Sequence, residues 1–127
     1  MMQGYWIVFL GAGIGGALRH GVNVWSARAF GLGFPYGTFT VNIVGSLAMG
    51  LLAGYFAFKG DASQPWRLFL ATGILGGFTT FSSFSLDVAV LYERGELAMT
   101  AFYVLASVIV SVVALFAGMW AMRSLMS

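Results

Sequence analysis

Long apolar stretches separated by short polar or glycine-containing breaks give this chain its pattern. The first covers about residues 5–30 and ends at Gly31, Gly33 and Pro35. The second covers about 36–58 and ends in a polar turn from Lys59 to Pro65 that includes Asp61. The third covers about 66–92 and closes at Glu93-Arg94-Gly95-Glu96, and the fourth covers about 97–123. Each reaches the roughly 20 mostly apolar residues that a transmembrane α-helix needs. Breaks this short make successive helices antiparallel and leave no space between them for a linker or a soluble unit. The pattern predicts one all-α membrane domain, 1–127, of four transmembrane helices.

Composition agrees. Of the residues, 60% are hydrophobic and 8% charged, against about 25% charged in soluble domains. So few charges could not cover a water-facing surface, and the mean hydropathy is +0.91. The net charge of +2 comes without a basic cluster, which argues against nucleic-acid binding. Cysteine is absent, which excludes disulfides, thiolate metal sites and thiol catalysis. Residues 5–18 have the hydrophobicity of a signal peptide. They lack a basic start and run on into the first span, so a retained helix is expected. Lys59, Arg67 and Arg123 fall on one side of the membrane, and Arg28 and Arg94 on the other. So small a bias permits insertion in either direction.

Gly11-Ala12-Gly13-Ile14-Gly15-Gly16 matches the dinucleotide-binding pattern G-x-G-x-x-G. That motif needs a βαβ unit and an acid about 20 residues later, and the first acid here is Asp61. Gly11 and Gly15, like Ser46, Gly50 and Gly54, instead carry the four-residue spacing that lets membrane helices approach closely.

Polar groups inside apolar spans are costly and point to function. Arg19 lies midway along the first span, with Asn23 one turn on; it reads as a clamp on Asp87 or a helix end, or as a charge that draws anions into a vestibule. Thr38, Asn42 and Ser46 recur at i, i+4 and i+8 on the second span, and Tyr103, Ser107 and Ser111 do so on the fourth. Each set forms one polar stripe without a carboxylate. Together the stripes read as the donor-rich lining of a pore for a small anion, where single serines would read as helix–helix hydrogen bonds. The third span holds Gly76-Gly77-Phe78-Thr79-Thr80-Phe81-Ser82-Ser83-Phe84-Ser85. Paired glycines followed by a dense hydroxyl run disfavour a continuous helix, so a break is expected there, with carbonyls turned inward that suit a hard cation. Phe81 and Phe84 present either ring edges to an anion or core packing; taken alone, the residues favour packing.

The same segment resembles the G-G-x-T-T-F-S-T-F-S signature of the small bacterial fluoride channels, the Fluc (CrcB-type) family, and departs from it only at Ser83, where threonine is usual. Gly37 to Gly45 resembles the family's second-helix motif G-T-x-x-x-N-x-x-G, and Gly16-Ala17-Leu18-Arg19 its first-helix motif. His20 stands where an aromatic is common, and Asp87 where glutamate is frequent. The resemblance covers nearly the whole chain. It implies an antiparallel, dual-topology homodimer in the bacterial plasma (inner) membrane, with two pores that let fluoride leave the cytoplasm passively and so limit its toxicity. It implies that Asn42, Phe81, Phe84 and Ser83 line the fluoride path, and that Thr38, Tyr103, Ser107 and Ser111 extend it. It further implies a structural Na⁺ at the dimer centre, held by the backbone carbonyls of Gly76 and Thr79 from both subunits.

Two other classes compete. Small proton-coupled cation exporters are also short four-span proteins, but they depend on a membrane-buried carboxylate. Here the first span has no acid, and Asp87 is the one acid well within a span. A non-transporting anchor would leave the polar stripes unexplained. An enzyme lacks support, since no nucleophile–base pair is evident and His20 is the sole histidine.

Overall fold

A computed structural model describes residues 2–59 and 64–127. The expected polar turn after the second span falls largely on residues 60–63, outside the described residues. Helix α1 (Met2–Phe30) is followed by α2 (Tyr36–Lys59), and α6 (Leu97–Met126) closes the chain. Between α2 and α6 lies a composite span: α3 (Gln64–Arg67), a π-helical stretch (Leu68–Leu75), α4 (Gly76–Phe78) and α5 (Phe81–Glu93). Among the described residues, four helical spans are long and apolar enough to cross a membrane. The 29 residues of α1, at about 1.5 Å each, exceed the roughly 30 Å of a hydrocarbon core.

The chain reverses at Gly31 (φ 81°) and Gly95 (φ 82°), both in the left-handed conformation that glycine adopts without a Cβ penalty. The Gly31 N–H returns to the Ala27 carbonyl at 2.9 Å and ends α1. Four antiparallel spans bring Trp6, Trp66 and Trp120 to one end and Trp25, Tyr36 and Tyr92 to the other. All six are exposed, as expected of aromatic belts at the two membrane interfaces.

The helices pack in two pairs, α1 on the composite span and α2 on α6. Small residues set both crossings. A Cβ at Gly11 would lie 2.7 Å from the Phe69 carbonyl oxygen, and one at Gly15 would collide with the Ile74 carbonyl. In the other pair, Gly50 lies against the Leu115 backbone and Gly118 against the Leu47 carbonyl. The glycine-rich sequence of α1 is thus packing surface, and no strand accompanies it among the described residues. Helices that approach this closely gain dispersion contacts and lose little side-chain entropy, which drives association where lipid is as apolar as leucine. The fully buried side chains are few, Val41 and Tyr103 foremost, and most large apolar residues face outward.

The composite span departs from regular helix twice. At Leu68–Leu75 it widens, and the Gly76 N–H reaches back five residues to the Ala71 carbonyl. Such π-helical turns cluster at functional sites. After Phe78 the backbone extends, with φ/ψ of −85°/159° at Thr79 and −154°/122° at Thr80. Helix geometry resumes at Phe81. Non-helical backbone inside a membrane must find internal partners or line a cavity, and Thr79 and Thr80 do both.

Candidate functional site

The polar stripe of α2 and that of α6 lie on packed helices. They meet the extended segment at a cavity of about 320 Å³, lined by Asn42 and Ser46 of α2, Ser107 and Ser111 of α6, and Thr79, Thr80, Phe81 and Phe84. No carboxylate or lysine lines it. Ser107 is 6% exposed, and the hydroxyl oxygens of Ser107 and Ser111 are buried without a hydrogen-bond partner. A buried hydroxyl left unpaired costs about 1–3 kcal/mol, so the two form donors in want of an acceptor.

Phe84 packs on Phe81, ring centres 5.7 Å apart, and on Tyr103, 5.1 Å apart. Phe81 is 78% exposed, so this chain alone leaves one wall of the cavity open. Tyr103 is fully buried, and its hydroxyl donates to Asp87 Oδ2 at 3.0 Å.

A second cavity, of about 420 Å³, lies toward the Gly31 turn. Thr38 and Ser83 line it, together with Asn23, Ser26, Asp87 and Arg94. The sequence-derived residues therefore divide between two spaces, with Asn42, Phe81, Phe84, Ser107 and Ser111 around the first and Thr38 and Ser83 around the second. Tyr103 joins them: its ring packs on Phe84 of the first, and its hydroxyl contacts Asp87 of the second.

Arg19 lies apart from the Asn42 cavity. Its Nε donates to the Gly77 carbonyl in α4 at 3.1 Å, the helix-end form of a clamp. Asp87 takes Tyr103 in place of Arg19.

Asn42 makes two contacts that the stripe does not disclose. Its Nδ2 donates to the Thr80 carbonyl at 3.0 Å, and its Oδ1 accepts the Thr80 N–H at 2.9 Å. Thr80 also caps α5, its Oγ1 accepting the Ser83 N–H at 3.1 Å. Thr79 turns its hydroxyl back to the Leu75 carbonyl at 3.0 Å, with its methyl group against Gly45. Thr80 and Ser26 are functional candidates that sequence reasoning missed. Ser26 is 2% exposed, and its hydroxyl is unpartnered. A threonine just before a resumed helix is a recognisable N-cap, so Thr80 had a signal; Ser26, one isolated serine, had none.

No cluster of three or more His, Cys, Asp or Glu side chains that could hold a metal occurs among the described residues. Carbonyl oxygens are the alternative donors. Gly76 is exposed on this single chain and helical, with φ/ψ of −62°/−37°. A Cβ there would meet nothing closer than the Ala71 carbonyl at 3.7 Å. Within one chain, then, a side chain at Gly76 would not disturb the backbone.

Comparison with known proteins follows the same residues. A protein of Nitrobacter hamburgensis named fluoride-specific ion channel FluC 2 is 59% identical over 121 residues, 95% of this chain and 98% of that protein. Fluoride-specific ion channel FluC of Rhodopseudomonas palustris (strain BisB5) is 58% identical over 121 residues, again 95% and 98%. The protein of that name from Hyphomonas neptunium is 55% identical over 123 residues, 96% of this chain and 97% of the relative. These relatives are named as ion channels, not enzymes. Residues 6–119 match the profile described as CrcB-like protein, Camphor Resistance (CrcB), and the chain belongs to that family.

Proposed function

We propose that the chain is one subunit of a fluoride-selective passive channel, an antiparallel homodimer that lets fluoride leave the cytoplasm across the plasma (inner) membrane and so limits its toxicity. The observation that carries this is the acid-free cavity in which buried hydroxyls of Ser107 and Ser111 lack acceptors, in a chain whose relatives are named fluoride-specific ion channels. A small anion gives up strong hydration on entering a membrane. Hydroxyl and amide donors, with the positive edges of Phe81 and Phe84, replace that hydration. With no carboxylate in the cavity, no proton carrier is built into this part of the path. The membrane potential, negative inside, moves one anionic charge outward with about 2.3 kcal/mol per 100 mV.

Support for a second copy comes from exposure. Phe81 at 78% exposed and the open face at Gly76 leave the site half-walled, and the near-even distribution of Lys and Arg admits opposite insertion of two copies. A path in each subunit gives two pores per dimer. In each, Asn42, Phe81, Phe84, Ser107 and Ser111 form the inner portion. Thr38, Ser83 and Tyr103 extend it to the second cavity.

The backbone also fits a central Na⁺. In a continuous helix the Thr80 N–H would bond the Gly76 carbonyl, and the Ser83 N–H the Thr79 carbonyl. Here Asn42 takes the first and the Thr80 hydroxyl takes the second. The carbonyls of Gly76 and Thr79 are released from these helical partners, and such oxygens are hard ligands suited to Na⁺. The ion, when bound, supplies fixed positive charge that ties two subunits together. Arg19 would hold the neighbouring Gly77 carbonyl, a structural task outside the inner path.

A proton-coupled cation exporter is disfavoured by the same cavity, which offers a cation no carboxylate. The test is efflux from liposomes carrying purified protein, without a proton or Na⁺ gradient. Fluoride should leave and chloride should not. Equal rates overturn selectivity, and a strict need for a proton gradient overturns the channel.

A further inference from the structure

Asn42 lines the cavity and also grips the break in the composite span. Its amide pairs with the Thr80 peptide in both directions, donor to carbonyl at 3.0 Å and acceptor from N–H at 2.9 Å. The arrangement is that of two strands exchanging a pair of hydrogen bonds, formed by a side chain 38 residues away. Two consequences follow from valence. The Thr80 N–H has one proton, and directing it to Asn42 Oδ1 takes it from the Gly76 carbonyl. The Asn42 amide has two N–H groups; one is committed to Thr80, and the other remains for the cavity.

We propose that Asn42 is a positioning residue that couples the anion path to the carbonyl cradle: by holding the Thr80 peptide it keeps the break extended and the Gly76 carbonyl released for a cation. This rests on the Na⁺ reading given above. The side chain that meets the permeating anion is then the one that sets the geometry of the cation site, and loss of its amide disables both. A residue that merely lined the pore would affect flux alone.

The experiment is a titration of purified protein with Na⁺, replacing N-methylglucamine at constant ionic strength, read as thermal stability of the dimer and paired with fluoride flux. Asn42→Leu keeps the branched shape and removes both hydrogen bonds. It should lose flux and raise the Na⁺ concentration for half-maximal stabilisation at least about ten-fold. Asn42→Ser, whose hydroxyl is too short to grip both sides of the peptide, should do the same and serves if the leucine variant does not assemble. Ser107→Ala lines the same cavity and touches no carbonyl of the break. It should lower flux and leave the Na⁺ midpoint within about two-fold of the parent. Loss of flux in the Asn42 variants with an unmoved Na⁺ midpoint overturns the coupling. A parent protein indifferent to Na⁺ overturns the cradle itself. If, in addition, the Thr80 amide exchanges with deuterium equally fast in parent and Asn42→Ser, the clamp is overturned too.

Discussion

The hydroxyls of the composite span and those of α6 are the same chemistry put to opposite uses. Around the break, hydroxyls are bound by nearby backbone. Thr79 donates to the Leu75 carbonyl, Thr80 accepts from the Ser83 N–H, and Ser85 donates to the Phe81 carbonyl. On α6, a helix of 30 residues without interruption, Ser107 and Ser111 bond to nothing. At the break the Ser83 N–H, without a helical partner, takes the Thr80 hydroxyl, while the hydroxyls of Thr79 and Ser85 turn back onto carbonyls one turn earlier. A continuous helix has satisfied its own backbone and can leave serines unpaired on one face. The break therefore builds the site, and α6 supplies its free donors.

That division is broken or sharpened first on α6. Replacing Ser107 and Ser111 together with alanine removes donors to a charged ligand, each worth about 1.5–3 kcal/mol. Fluoride flux should fall at least about 100-fold. Thermal stability should hold or rise, because two unpaired buried hydroxyls are removed with nothing left unsatisfied. Liposome efflux and a melting curve on the same preparation check both halves. A destabilised protein would mean these hydroxyls are structural after all, as in the break.

The mirror-image change is Thr80→Val. It keeps the branched shape and the backbone bonds to Asn42, and removes the cap on α5 together with the hydroxyl contact to Ser82. Loss of an N-cap costs about 1 kcal/mol, so the melting temperature should drop while flux per folded dimer stays within about three-fold. Flux that collapses in a stable dimer would place the Thr80 hydroxyl in the anion path and blur the division between the two regions.

How far the sequence discloses this division depends on the range of the interaction. The spans are legible because crossing a bilayer needs about 20 apolar residues in a row, and the helices occupy Met2–Phe30, Tyr36–Phe58, Gln64–Glu93 and Leu97–Met126. The two stripes are legible because i, i+4 and i+8 share a helix face. Packing by Gly11, Gly15 and Gly50 is legible from spacing alone. The π-helical turn is not: Leu68–Leu75 reads as ordinary apolar helix, and its widening accompanies a tight crossing with α1 that no local propensity encodes. Nor is the grip of Asn42 on Thr80. As a stripe residue Asn42 reads as a donor to solvent or anion, whereas half of its amide is committed to a peptide 38 positions away. The fully buried Tyr103 likewise turns one expected track into two cavities, through contacts with Phe84 and Asp87 that only the tertiary fold creates.

The smallest expected effect is also the most exacting for the comparison. Ser85 lies in the same hydroxyl run as Ser83, yet its hydroxyl donates to the Phe81 carbonyl at 3.0 Å, and it lines neither cavity. Back-bonding of this i to i−4 kind does little for a helix and slightly disfavours it. In Ser85→Ala the Phe81 carbonyl keeps the backbone N–H that the helix supplies, so no polar group is orphaned. Stability should change by less than about 0.5 kcal/mol, and flux should stay within about two-fold. The measurement is the same paired melting curve and fluoride efflux, run beside Ser111→Ala. If Ser85→Ala lowers flux as much as Ser111→Ala does, having a backbone partner does not remove a hydroxyl from the path. The contrast between the break and α6 would then lose its physical basis. If the two separate cleanly, the partner of each hydroxyl, and not its presence in a signature, decides whether an anion can use it.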